Sequence, residues 1–134
     1  MGQPAAKQGD QIVGVDTHIV MVPAPPGPPT PTPLPHPFAG QIGGGLSTNV
    51  KIMGKWAAVV GSTADNRPPH LPMAPGTTFQ KPPTNKATIQ LGSQTVMINH
   101  KPAARSGDKA LTCNDPADLP AGTVVVPAST VMIG

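Results

Sequence analysis

Five side chains in this sequence are natural ligands for a soft or borderline cation: His18, His36, His70, His100 and Cys113. Neutral imidazole nitrogen and thiolate sulfur are the donors that Zn2+ takes in tetrahedral sites, and Fe2+ accepts them too. The lone cysteine excludes an intramolecular disulfide, so its thiol is available for a metal. The acids are few: Asp10, Asp16, Asp65, Asp108, Asp115 and Asp118, with no Glu. Scattered donors mean little until the chain shows how they could meet, and that depends on the elements that carry them.

Those elements repeat. Ser93–Asp108 reads SQTVMINHKPAARSGD, and Ser47–Ser62 reads STNVKIMGKWAAVVGS. Each predicts a short strand of alternating character, a two-residue turn (Asn99-His100 or Met53-Gly54) and a second short strand. The end of the sequence, Ser129–Gly134, supplies the first half of the same unit, and Gly2–Asp10 supplies the second half. Joined, the two ends make a third copy. Three copies, one divided in this way, imply a closed pseudo-three-fold object whose ends meet.

The donors keep step with the repeat. His18 lies eight residues after Asp10, His70 eight after the equivalent Ser62, and Cys113 five after Asp108. Each copy therefore sends one donor into the loop beyond its second strand, and three-fold symmetry would bring those loops together. His36, held between Pro35 and Pro37, is the natural fourth ligand. His100 occupies the hairpin turn that Gly54 fills in the other copy, at the opposite end, and is excluded. The set His18, His36, His70 and Cys113 leaves no open position for water, so the expected site is structural, with one Zn2+ or Fe2+ per chain.

Composition agrees with a metal-dependent, all-β chain. Twenty prolines and 15 glycines in 134 residues leave few windows for a stable helix. Trp56, Phe38 and Phe79 are the only aromatics, so an unaided core would be thin, and a metal or partner would have to supplement it. The length suits one domain, residues 1–134, with a proline-rich insert at 23–37 and a polar insert at 63–86. The first insert favours polyproline II, either as an SH3- or WW-type ligand or, the preferred reading, as a rigid crossing within the domain. Net charge is +3 with no run of Lys or Arg, which gives no support for nucleic-acid binding. No basic segment followed by an apolar stretch opens the chain, so no Sec leader is expected.

Pro102-Ala103-Ala104-Arg105-Ser106-Gly107-Asp108 resembles the signature of PAAR-repeat proteins, with degenerate versions at Pro4–Asp10 and Trp56–Ser62. Pro35–Ile42 is similar to the family's His-containing loop. The middle copy departs from the pattern, with Trp56 where Pro is usual and Ser62 where Asp is usual. The resemblance implies β-hairpins in a short cone with a metal near the apex, held by three His and one Cys. It further implies a base seated on a trimeric VgrG-type spike or its phage-tail-like counterpart, one monomer per trimer, where the cone sharpens the tip that meets the target membrane. Such a protein would assemble in the bacterial cytoplasm and act at the tip of a type VI or extracellular contractile particle, in some cases carrying effector proteins.

No catalytic residue is expected. A zinc hydrolase needs an open metal position and a nearby general base. Asp10 and Asp108 belong to Gly-Asp turns, where bonding to the backbone is the expected role. Two other non-enzymatic readings remain: an adaptor presenting a separately encoded toxin, and a stand-alone zinc-binding structural domain.

Overall fold

The computed structural model describes residues 2–134, and among them there is no helix. The strands are β1 (Gln3–Pro4), β2 (Gln11–Ala24), β3 (Gly27–Gly44), β4 (Lys51–Ile52), β5 (Lys55–Trp56), β6 (Thr63–Asn66) and β7 (Thr78–Phe79). They continue with β8 (Lys86–Ile89), β9 (Met97–Ile98), β10 (Lys101–Pro102), β11 (Lys109–Thr112), β12 (Leu119–Val125) and β13 (Met132–Ile133).

Three small hairpins form one end of the molecule. β4 pairs with β5, β9 with β10, and β13, from the end of the sequence, with β1. Met53 and Asn99, both with φ of 52°, begin left-handed two-residue turns completed by Gly54 and His100. Such turns match the twist of the strands they join.

Below the hairpins the three Ala-Ala segments lock together. Ala6 N–H donates to Ala104 O, Ala104 N–H to Ala58 O, and Ala58 N–H to Ala6 O, each at 3.0 Å. Single-residue bridges Ala5–Arg105, Lys7–Ala57 and Val59–Ala103 complete the same cycle. Ala5, Ala6, Ala57, Ala58, Ala103 and Ala104 are all buried. Side chains no larger than a methyl let three backbones approach this closely about one axis. The half-repeats at the two termini thus close the ring as the third copy.

Each copy then turns. Gly9, Gly61 and Gly107 have φ of 91°, 98° and 92°, a conformation open to glycine at little cost. The side chain after each glycine reaches back: Asp10 Oδ2 accepts from Lys7 N–H at 3.0 Å, Asp108 Oδ2 from Arg105 N–H at 2.7 Å, and Ser62 Oγ from Val59 N–H at 3.0 Å. The carboxylates of the Gly-Asp turns therefore act on the backbone, as their turn position predicts.

From these turns each copy sends out an antiparallel pair: β2–β3, β6–β8 and β11–β12. The pairs join through β3–β6, β8–β11 and β12–β2, so six strands close on themselves. Where all six strands pair, closure leaves no free edge; β3 before Gly40 keeps one. Phe38, Ile12, Ile42, Ile89 and Val124 fill the interior, and a second cluster with Ile52, Ile98 and Ile133 lies among the hairpins. Val50 and Val96 pack partly against that cluster, whereas Val131 is exposed.

The proline-rich insert is strand, not polyproline II. Along β3 the prolines at 29, 31, 33, 35 and 37 sit at every second residue, while Thr32, Leu34, His36 and Phe38 alternate with them on the more buried side. β3 pairs with β2 throughout this stretch and meets β6 only from Gly40 onward. A period of two puts each proline where its missing N–H faces the unpaired edge, so β2 loses no partner. The same spacing removes the donors that would let a foreign strand pair there.

Candidate metal centre

Three chain segments deliver donors to one buried point. His18 lies not in a loop but in the middle of the long strand β2, paired opposite Leu34, where Asp16, two residues before it, shares its inward face. His70 follows β6, and Cys113 follows β11 directly. Asp16, His18, His70 and Cys113 each offer a donor atom, and these atoms lie within 4.8 Å of one another. All four residues are buried.

Hydrogen bonds order the cluster. Asp16 Oδ2 accepts from His70 Nε2 at 2.8 Å and from the Cys113 thiol at 3.3 Å. Cys113 Sγ is 3.6 Å from His18 Nε2. Asn66 Nδ2 lies 3.1 Å from His70 Nδ1 and holds the ring from behind. His18 Nδ1 is 3.5 Å from Asp115 Oδ2, near enough for electrostatic attraction but without a hydrogen bond. Asn114 and Asp115 also fix β2, accepting from Thr17 N–H and Ile19 N–H at 2.7 Å and 2.9 Å.

His36 stands beside the cluster. Its ring centroid is 5.3 Å from that of His18 and 5.6 Å from that of His70. Its Nδ1 donates to Leu34 O at 2.9 Å, and its Nε2 accepts from Met73 N–H at 3.0 Å. The structure thus brings His18, His70 and Cys113 to one point and places His36 against them with Nε2 turned to the backbone. His100 lies exposed in its hairpin turn. Asp16 is the participant that sequence spacing passed over. Its signal was the strand period, since a residue two before His18 shares its face.

The donor chemistry fits a divalent cation. Asp16 Oδ1 and His18 Nδ1 are buried without hydrogen-bond partners, and a buried carboxylate with one oxygen unsatisfied is costly unless a positive charge compensates it. Burial, then the neighbouring carboxylate of Asp16, push the Cys113 thiol up to about 11. A bound cation is what would hold this sulfur as thiolate at neutral pH. Burial, then His70, lower the pKa of His18, which favours the neutral ring that a metal needs.

That depression has a sign to test on the metal-free protein. Unfolded His18 takes up its proton near pH 6.5, while the folded ring resists it. Stability from this group is present above that pH and lost as pH falls. Chemical denaturation of chelator-treated protein at pH 7.5 and pH 5.5 should show a lower midpoint at the acid pH, and His18→Gln should flatten the difference.

The family model for the PAAR motif matches residues 34–114. The chain belongs to the PAAR-motif family. The match takes in two complete repeats with His36, His70 and Cys113, while His18 and both terminal half-repeats lie outside it. In this PAAR protein it is the backbone cycle through Ala6, Ala58 and Ala104 that ties the outlying halves to the matched region. A search of curated proteins returns no match to the PAAR chain.

Proposed function

We propose that this protein is a structural cap, seated by its hairpin end on the trimeric VgrG-type spike of a bacterial contractile injection system and stiffened by one buried Zn2+ or Fe2+. The observation that carries this reading is the closed backbone cycle through Ala6, Ala58 and Ala104, which sets three like two-stranded units about one axis in a single chain. A monomer with pseudo-three-fold symmetry can present a matching surface to each subunit of a true trimer. The hairpins β4–β5, β9–β10 and β13–β1 are separate two-stranded units whose outer edges suit strand addition. Met53, Met97 and Met132, exposed by 51%, 55% and 55%, add adaptable apolar surface at the same end.

His18, His36, His70 and Cys113 would hold the ion, with His36 exchanging the Met73 N–H for it. The Nδ1 bond to Leu34 O is the kind of outer contact that orients a ligating imidazole. A divalent ion, one thiolate and the Asp16 carboxylate sum to zero charge, which suits a fully buried site. The role is mechanical and not enzymatic, and residues 1–134 act as one domain. Assembly would take place in the bacterial cytoplasm, with the cap later carried at the tip of the particle toward a target membrane.

The test is co-purification of the cap with the spike trimer. One cap per three spike subunits is expected. Normal assembly by a variant carrying Met53→Glu, Met97→Glu and Met132→Glu would overturn the docking face.

A further inference from the structure

A second surface, lined by none of Asp16, His18, His36, His70 or Cys113, lies beside the turn at Gly9. The turn at Gly9, the end of β3, the hairpin strand β5 and the strands β6 and β8 border a groove of about 700 Å3. Three exposed cations line it: Lys55 on β5, Arg67 just after β6, and Lys86 at the start of β8. None of them is in an ion pair among the described residues, although Lys7 and Arg105 are. Asp65 is the one acid in the groove wall.

Part of the floor is open backbone, at Gly43, where a Cβ would meet nothing nearer than Gln41 O at 4.0 Å. Gly43 and Gly44 line the groove, and the β3–β6 register shifts between Ile42 and Gly44, leaving Gly43 without a strand partner. A second chain could therefore approach the backbone closely and hydrogen-bond to it while its side chains meet the cations.

From this arrangement we infer that the groove binds an acidic, extended segment of a second protein. Charge complementarity selects a segment with carboxylates spaced to reach Lys55, Arg67 and Lys86. Two features favour polypeptide over nucleic acid. No aromatic lines the groove to stack on a base, and Asp65 would repel a uniform phosphate backbone while accepting from a peptide N–H. The inference goes beyond the cap reading: the groove climbs the flank from β5 and needs no spike in order to bind.

Fluorescence anisotropy of the isolated full chain tests it, with a labelled hexapeptide of alternating Gly and Glu as probe. Saturable binding is expected at low salt, weakening as salt rises. The double variant Arg67→Gln, Lys86→Gln should lose on the order of tenfold in affinity, because rim charges steer and hold the ligand. Asp65→Asn should tighten binding, and Lys109→Gln, outside the groove, should leave it unchanged. These are exposed side chains, so melting temperatures should match the parent and exclude misfolding as a cause. Equal binding by the double variant would overturn the proposal. So would equal binding of a Gly-Gln peptide, or tighter binding of a single-stranded oligonucleotide of the same charge. Because no spike is present, none of these outcomes bears on whether the cap seats on a trimer.

Discussion

Cys113→Ser is expected to abolish the proposed one-to-one metal binding and much of the thermal stability together. The substitution exchanges the only thiolate for a hydroxyl, at a position 2% exposed beside the Asp16 carboxylate. Serine offers a poor ligand, and loss of the ion would leave that carboxylate buried without positive charge. Metal binding to a structural site is folding free energy, and a loss of about 3 kcal/mol corresponds to a fall in Tm on the order of 10 °C. Metal analysis and calorimetry on the same preparations check both halves. A variant that keeps its metal and its Tm would refute the structural role of the site. Asp16→Asn and His36→Gln separate the remaining donors. Under the proposed ligand set, His36→Gln costs more metal affinity than Asp16→Asn. The reverse order would make Asp16 the fourth ligand.

Asp10→Ala should be the most damaging change outside the metal cluster. Lys7 is 7% exposed, and its Nζ donates to both Asp10 oxygens, at 3.2 Å and 3.1 Å, and to Ala128 O at 2.8 Å. Deleting the carboxylate leaves a buried ammonium without its counter-ion and also orphans the Lys7 N–H. Breaking one side of a buried pair typically costs about 3–5 kcal/mol. The middle repeat shows the remedy, because Val59 and Ser62 occupy the same two positions and Ser62 Oγ keeps the backbone bond without any charge. The double variant Lys7→Val, Asp10→Ser should therefore recover most of the loss in urea denaturation. Failure of the double variant to recover would show that the Lys7 contact to Ala128 O, near the C-terminal half-repeat, holds the ring closed.

The divided third repeat was legible because its signal is local. Val131-Met132-Ile133 and Pro4-Ala5-Ala6 each keep the spacing of the intact copy, and the hairpin turns follow from Met53-Gly54 and Asn99-His100. The spread of proline and glycine left few windows for a helix. The proline tract misled, since composition favours polyproline II, and only pairing with β2 shows that alternate prolines suit an edge strand.

By itself, then, the sequence determined an all-β chain of three like repeats, and it tied His18, His70 and Cys113 to the stretches that follow them, eight, eight and five residues on. Tertiary structure decided the rest. Closure of six strands is a long-range pairing with no local code, and it sets which inward side chains converge. It carried Asp16 into the cluster, because strand faces matter only once an interior exists. It also turned His36 Nε2 toward Met73 N–H, a contact between residues far apart in the chain that spacing within a repeat could not express.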